Sequence, residues 1–323
     1  MKVVDITMES NEQKNSGYQS VLCAVEPPSD PELILAMAQA LVAEGGELHI
    51  VSVMAGTALE DEKESAGWGG EEGRKSGIQM AGEHAVAIDR AAAQALERSL
   101  NEQARFTLGS GVAQVHVVTG LARHAILDLA RQVSADLILV GTRKTGTATL
   151  LFGSTANHVI HGAVCDVLAV RLDNDRNGAT SPDRSGPDRY KKVAVGLDFR
   201  HTNASKIIAH AGHLAPLDKL SLFHVIQLND CIGSEGVDTG CVESEYFLAE
   251  SRLREHGSQH AIPEARQALF VGSLENAIVR IIQDQAPDLF VFGSQGQGDA
   301  ATLPLDAFAM VLRESNCDIL VIH

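Results

Sequence analysis

Apolar residues fall along this chain in short unbroken runs, separated by stretches with a helical period. The runs VLCAV, LHIVSVM, QVHVVTG, DLILVG and DVLAVR occupy the first half, and VAVGL, LSLFHVI, ALFVG, DLFVFG and DILVIH the second. Continuous runs of this kind mark strands buried on both faces, as in a parallel sheet. After the first run, Leu33, Met37, Ala40 and Leu41 recur at helical spacing. Asp30 is placed to cap that helix, Pro31 fits its first turn and Gly45 stops it. In the second half Thr202 or Asn203 caps, and Ile207, Ile208, Ala211 and Leu214 make the buried stripe. Each half therefore reads β-α-β-α-β-α-β-α-β. Strands alternating with helices predict a parallel sheet covered on both faces, with right-handed crossovers.

The two halves are copies. YQSVLCAVE from Tyr18 to Glu26 returns as YKKVAVGLD from Tyr190 to Asp198. GLARHAILDLARQVSADLILVG, ending at Gly141, returns as GSLENAIVRIIQDQAPDLFVFG, ending at Gly293. The match runs on without a gap, so that Cys165 maps to Cys317 and Asp166 to Asp318. The first copy is the longer one, its extra residues lying in the Gly/Glu-rich stretch around Gly56 to Gly82. The expected fold class is thus α/β: two tandem, open, five-stranded parallel-sheet domains of Rossmann-like type, at 18–172 and 190–323. Residues 1–17 read as a flexible tail. Residues 173–189, polar with Gly and Pro and without apolar period, read as a linker.

Composition narrows the function. Aromatics are 4% of 323 residues, so small aliphatic side chains must fill the cores. The formal net charge of −16 argues against a nucleic-acid partner, which needs a basic surface. No apolar run reaches the ~18 residues of a membrane span, and the N-terminal stretch lacks the apolar region of a signal peptide. A cytoplasmic protein without membrane association is expected. Cys23, Cys165 and Cys317 sit in apolar runs, where Cys acts as a small hydrophobe. Cys231 and Cys241 lie in a loop-like stretch. A disulfide between them is open to the chain but runs against a reducing compartment.

In an open α/β sheet, ligands bind beyond the carboxyl ends of the strands where strand order reverses. The loop after the fourth strand, GTRKTGTATLLFGSTANHVI from Gly141 to Ile160, is the place to look. Its glycines permit tight turns and close approach of backbone amides to an anion. Gly153, Ser154 and Thr155 precede a helix-like stretch whose N-terminus favours phosphate, and Arg143 and Lys144 add positive charge. Read from the residues alone, turn glycines with a helix cap explain the loop as well as a phosphate site does.

The loop resembles the signature of the universal stress protein family, Gly-x2-Gly-x9-Gly-[Ser/Thr]. The acid ending strand one, LHIVSV on strand two and the closing CDVLAV resemble that family too. The tandem arrangement is similar to its two-domain, stress protein E type, with a sheet like that of the adenine-nucleotide hydrolases. The resemblance implies ATP or another adenine nucleotide, with or without Mg²⁺, as ligand. It implies Glu26 and the Val53 backbone at the adenine, and Gly141, Gly146, Gly153, Ser154 and Thr155 at ribose and phosphates. Copy one departs from the pattern: Glu26 replaces Asp, Lys144 stands at the second glycine, and the loop is one residue short before Gly153. In copy two the resemblance implies a secondary, degenerate pocket of Asp198, Val225, Gly293 and Gly296, with Gly298 close by. There Leu305 and Asp306, after Pro304, replace the Gly-Ser pair. An Asp facing phosphate oxygens is repulsive by on the order of a few kcal/mol if desolvated.

The remaining candidates are weaker. His158 with His161, His210 with His213, and His256 with His260 have helical spacing that suits a metal, but no third ligand lies nearby in sequence. No acid, base and nucleophile converge, so no catalysis beyond weak ATP hydrolysis is expected. The leading expectation is a cytoplasmic stress-response protein that binds an adenine nucleotide in domain 1. The alternative is an interaction or scaffold protein with two degenerate pockets. The last strands of the two copies are expected to pair antiparallel within the chain, as that family pairs them across a dimer; a homodimer of the whole chain is open.

Overall fold

The computed structural model of the chain describes residues 17–26, 31–54, 74–109, 113–142, 154–172, 189–199, 203–227, 231–233, 236–294, 311 and 317–323. The first copy runs β1 (Tyr18–Ala24), α1 (Glu32–Leu41), β2 (Val42–Met54), α2 (Arg74–Leu108), β3 (Ala113–Thr119), α3 (Ala122–Gln132), β4 (Leu137–Thr142), α4 (Ser154–Gly162) and β5 (Asp166–Arg171). The second runs β6 (Val193–Gly196), α5 (Ala204–Leu214), β7 (Leu220–Ile226), a short hairpin of β8 (Ile232–Gly233) and β9 (Gly236–Val237), α6 (Thr239–Gln259), β10 (Gln267–Val271), α7 (Leu274–Gln285), β11 (Leu289–Gly293) and β12 (Asp318–Ile322). The tail and the linker residues 173–188 lie outside the described residues.

Ten strands form one sheet in the order β10-β7-β6-β11-β12-β5-β4-β1-β2-β3. Each half is parallel throughout with strand order 3-2-1-4-5, and the halves join where β12 pairs antiparallel with β5, Leu320 opposite Leu168. The carboxyl ends of the two half-sheets therefore point to opposite edges. Alternate residues of each strand feed opposite cores, which explains the unbroken apolar runs. Leu137 and Leu139 of β4 face the layer of α1, α2, α5 and α6; Ile138 and Val140 face α3, α4 and α7.

The seam is locked symmetrically. Asp166 accepts from the Tyr18 hydroxyl at 2.9 Å and from the His323 amide at 3.1 Å. Asp318 accepts from the Tyr190 hydroxyl at 2.7 Å and from the Arg171 amide at 2.7 Å. Each buried carboxylate thus ties a tyrosine of its own domain to the last strand of the other. Burial, then the Asp166 charge, pushes the Tyr18 phenol well above its ordinary pKa, so it stays the donor.

Several expectations change. α1 ends at Leu41 rather than at Gly45, and Pro31 is its N-cap residue with no side-chain capping bond; Asp30 lies outside the described residues. β-branched Val42 already begins β2. Gly45, with φ of +82°, sits inside that strand near the register shift against β1. Asn203 is the cap of α5, its side chain accepting from the Lys206 amide at 3.1 Å. Arg189, read as linker, is buried and donates to the Ala40 carbonyl at 3.3 Å. Cys231 and Cys241 form a disulfide, against the expectation of thiols, and it clips the β8–β9 hairpin to the first turn of α6.

Copy two fills its second core with rings where copy one uses aliphatics. Phe223 meets Phe270, Phe290 and Phe292 edge-on at 6.2–6.5 Å. Gly196 makes room for them: a Cβ there would stand 2.9 Å from both Phe223 and Phe292.

Candidate functional site

In each half the order reverses between the first and fourth strands, and there the candidate clefts lie. In copy one, Glu26 follows β1 and is exposed, and half-buried Val53 is one residue from the end of β2. Gly141 lies in β4, and α4 begins at Ser154 with Thr155 half-buried behind it. These residues sit at the carboxyl end of one parallel sheet, beside one switch point. Local bonds fix the edge. The Val25 amide donates to the Val51 carbonyl at 2.9 Å, and the Gly120 amide to the Met54 carbonyl at 3.0 Å. Thr142, which sequence reasoning missed, donates its hydroxyl to the Val170 carbonyl at 3.2 Å. Gly141 has a packing reason to be glycine, since a Cβ would come within 2.3 Å of the Leu172 side chain. Arg143, Lys144, Gly146 and Gly153 lie outside the described residues, as does the Ser154 side chain.

Copy two repeats this frame. The Leu197 amide donates to the Phe223 carbonyl at 2.9 Å, and the Gly272 amide to the Ile226 carbonyl at 3.0 Å. Gly120 and Gly272 share a positive φ, +138° and +130°, which favours glycine at this turn. Asp198 is half-buried after β6, Val225 is half-buried near the end of β7, and Gly293 ends β11. Gly296, Gly298, Pro304, Leu305 and Asp306 lie outside the described residues.

The carboxyl ends of β6 and β7 differ from those of copy one in carrying a ring stack. Phe199 packs against His224, centroids 4.7 Å apart and tilted, and against His256, 5.8 Å apart and nearly parallel. His224 Nδ1 is 2.6 Å from the Leu197 carbonyl and so carries its proton there. Ser205 Oγ is 3.3 Å from His256 Nδ1, and Arg252 donates to the Phe199 carbonyl at 3.2 Å. The repeat alignment puts Ser52 and Pro27 where copy two has His224 and Phe199. That contrast is the signal the sequence offered for this stack.

The histidine pairs go to other uses. His158 packs edge-on against His124, and His210 Nδ1 is 2.5 Å from Asp166. Among the described residues no three His, Cys, Asp or Glu side chains gather as metal ligands, and no helix is long and apolar enough to cross a membrane.

Comparison with known proteins follows the same two halves. The model of the universal stress protein family matches residues 17–171 and again 189–323. Universal stress protein A homolog 1 of Coxiella burnetii is 28% identical over 161 residues, covering 47% of this chain and 96% of that protein. Its homolog 2 from the same organism is 34% identical over 102 residues, 29% of this chain and 70% of that protein. A universal stress protein structure from Pseudomonas aeruginosa covers 95% of this chain and 94% of its own, with TM-score 0.58 at 17% identity. One from Archaeoglobus fulgidus covers 94% and 98%, with TM-score 0.59 at 15% identity. At those identities the structures speak for the fold alone, and the two family matches carry the assignment: the chain belongs to the universal stress protein family, with two such domains in tandem.

Proposed function

We propose that this chain is a cytoplasmic stress-response protein that binds one adenine nucleotide, in domain 1, while domain 2 binds no triphosphate. The observation that carries the reading is the difference between two otherwise matched carboxyl edges. In domain 1, Glu26, Val53, Gly141 and Thr155 border the switch point, and α4 starts at Ser154 where its amides can meet an anion. The sequence adds Arg143 and Lys144 to that loop. In domain 2 the corresponding edge carries the Phe199, His224 and His256 rings, and the sequence puts Leu305 and Asp306 in place of glycine and serine. With ATP or another adenine nucleotide bound, Glu26 and the Val53 backbone would hold the base, and the amides and hydroxyls at Gly153, Ser154 and Thr155 the phosphates. Mg²⁺ can accompany the phosphates. The reading asks for no catalysis beyond weak hydrolysis.

Calorimetry of the full chain with ATP and Mg²⁺ tests this. One site of micromolar or weaker affinity is expected, lost in Ser154→Asp. Two equivalent sites, or binding untouched by Ser154→Asp, would overturn it. No binding at all would favour a scaffold with two degenerate pockets.

A further inference from the structure

At the outer edge of domain 1, β2 and β3 bring two histidines together. His49 and His116 alternate with the residues that face α1 and α2, so they stand on the side of the sheet that Val51 and Val118 share. His49 Nδ1 is 3.2 Å from His116 Nε2. His49 is 2% exposed. Its other nitrogen, Nε2, is buried without a hydrogen bond and faces the Glu47 carboxylate, with Oε2 at 3.4 Å. β3 is the outermost strand and His116 is only half-buried, so solvent meets the pair from that side. The fold does not ask for these rings. In copy two Ala268 stands beside Phe223 just as His116 stands beside Val51, so the register of the two strand pairs is the same. There Ser221 takes the place of His49 and Ala268 that of His116. A buried polar atom without a partner, at a position the sister domain fills otherwise, calls for a reason outside packing.

We propose that His49 and His116 form a labile site for a divalent transition-metal ion of the zinc class. Two imidazole nitrogens on a tetrahedral ion, each at ~2.0–2.1 Å, stand about 3.3 Å apart; the gap here is 3.2 Å. A long N–H···N bond fits that gap as well, with a proton where the ion would sit. The surroundings favour the ion. Ligation through Nδ1 keeps the His49 proton on Nε2, where Glu47 faces it. That is the carboxylate–histidine–metal order, in which the carboxylate fixes the tautomer and raises the basicity of the ligand. Proton balance is simple. In the metal-free pair the same tautomer of His49 accepts from His116 Nε2–H. On binding, the ion takes that place and the His116 proton moves to its Nδ1 by exchange with water, so no net proton is released. Among the described residues no third side-chain ligand joins the pair, and water fills the remaining positions. A structural zinc has four protein ligands, so this site exchanges its ion. Imidazole suits zinc, copper and nickel, whereas Mg²⁺ and Ca²⁺ take oxygen ligands. The site is thus chemically distinct from any Mg²⁺ that accompanies a nucleotide.

The inference is independent of the nucleotide reading and is tested without nucleotide. The full chain, stripped with a chelator and titrated with Zn²⁺ in a calorimeter, should show a micromolar site. His49→Ser and His116→Ala copy what domain 2 carries at the same positions and so leave the fold intact. Each should weaken Zn²⁺ binding by about tenfold or more, and Glu47→Gln, which only weakens the backing of His49, by severalfold. His256→Ala, which breaks the i,i+4 pair with His260, should leave the site unchanged. In histidine-selective NMR, Zn²⁺ should move the ring signals of His49 and His116, and Mg²⁺ should move neither. Absence of a micromolar Zn²⁺ site in the wild type would overturn the assignment. So would binding indifferent to His116→Ala or lost in His256→Ala, either of which would give the ion to another histidine pair.

Discussion

Replacing Asp318 with Ala removes the acceptor for two donors at once, the Tyr190 hydroxyl and the Arg171 amide, each 2.7 Å away. Asp318 is fully buried, so water is not at hand to take its place. An unsatisfied buried donor costs ~1–3 kcal/mol, and losing the burial cost of the carboxylate gives some of that back. A net loss of about 2–4 kcal/mol follows. For a domain-sized unit with a urea slope of ~1–3 kcal/mol/M, the midpoint should fall by roughly 1 M. Tyr190→Phe removes one donor only and should cost about 1–2 kcal/mol. In the Asp318→Ala background it should cost clearly less, because the bond to Asp318 is already gone. Urea unfolding followed by circular dichroism measures all four proteins of the cycle. A loss below ~0.5 kcal/mol for Asp318→Ala, or a Tyr190→Phe cost equal in both backgrounds, would refute the view that these carboxylates lock the seam.

Other consequences follow from the same geometry. Leu168→Lys puts an ammonium group opposite Leu320 in the middle of the seam, and gel filtration with a hydrophobic dye should report domain separation and exposed surface. Gly196→Ala must move Phe223 or Phe292 and should lower stability by about 1–3 kcal/mol in thermal unfolding. Burial lowers the pKa of His213, His161 and His323. The unfolded chain then binds more protons near and below pH ~6.5, so stability present above that pH should fall as the pH drops toward 5. His210, bonded to Asp166, and Lys206, bonded to the His323 carbonyl, face the same corner; His213→Leu should flatten the pH profile of denaturant unfolding. Reducing Cys231–Cys241 should speed hydrogen exchange in the first turns of α6 while leaving β10 and β7 protected.

How far the sequence reached depended on whether a feature was local and repeated. The strand runs and the tandem repeat were legible because burial on both faces leaves long apolar runs and because each pattern occurs twice; the α5 cap was narrowed to Thr202 or Asn203, and the structure takes Asn203. The pairing of DVLAVR with DILVIH was an expectation from family resemblance joined to an apolar edge. Its lock was harder to see. Tyr18, Tyr190, Asp166 and Asp318 stand out as repeated, but their partners are 128 to 148 residues away in the chain. The β8–β9 hairpin is two residues on each side, too short to show a period, and its disulfide runs against the compartment argument. The end of α1 was misread because Gly45 looks like a helix stop, while β-branched Val42 and the pairing with Tyr18 make the chain extend earlier. For the candidate site, the switch-point edge was legible because it follows from the strand order, and Val53, Gly141 and Thr155 stand near it as the proposed binding residues. Of the ring stack, the contrast of Phe199 and His224 with Pro27 and Ser52 was open to a reading of the repeat, but His256 comes from a distant helix and was not.

The central claim, one nucleotide in one of two homologous clefts, is tested most directly by a crystal structure of the full chain grown with ATP and Mg²⁺. The account predicts nucleotide density between the ends of β1 and β4, with phosphates at the N-terminus of α4, and none between β6 and β11. Nucleotide at the β6–β11 edge, in both clefts, or in neither would contradict it.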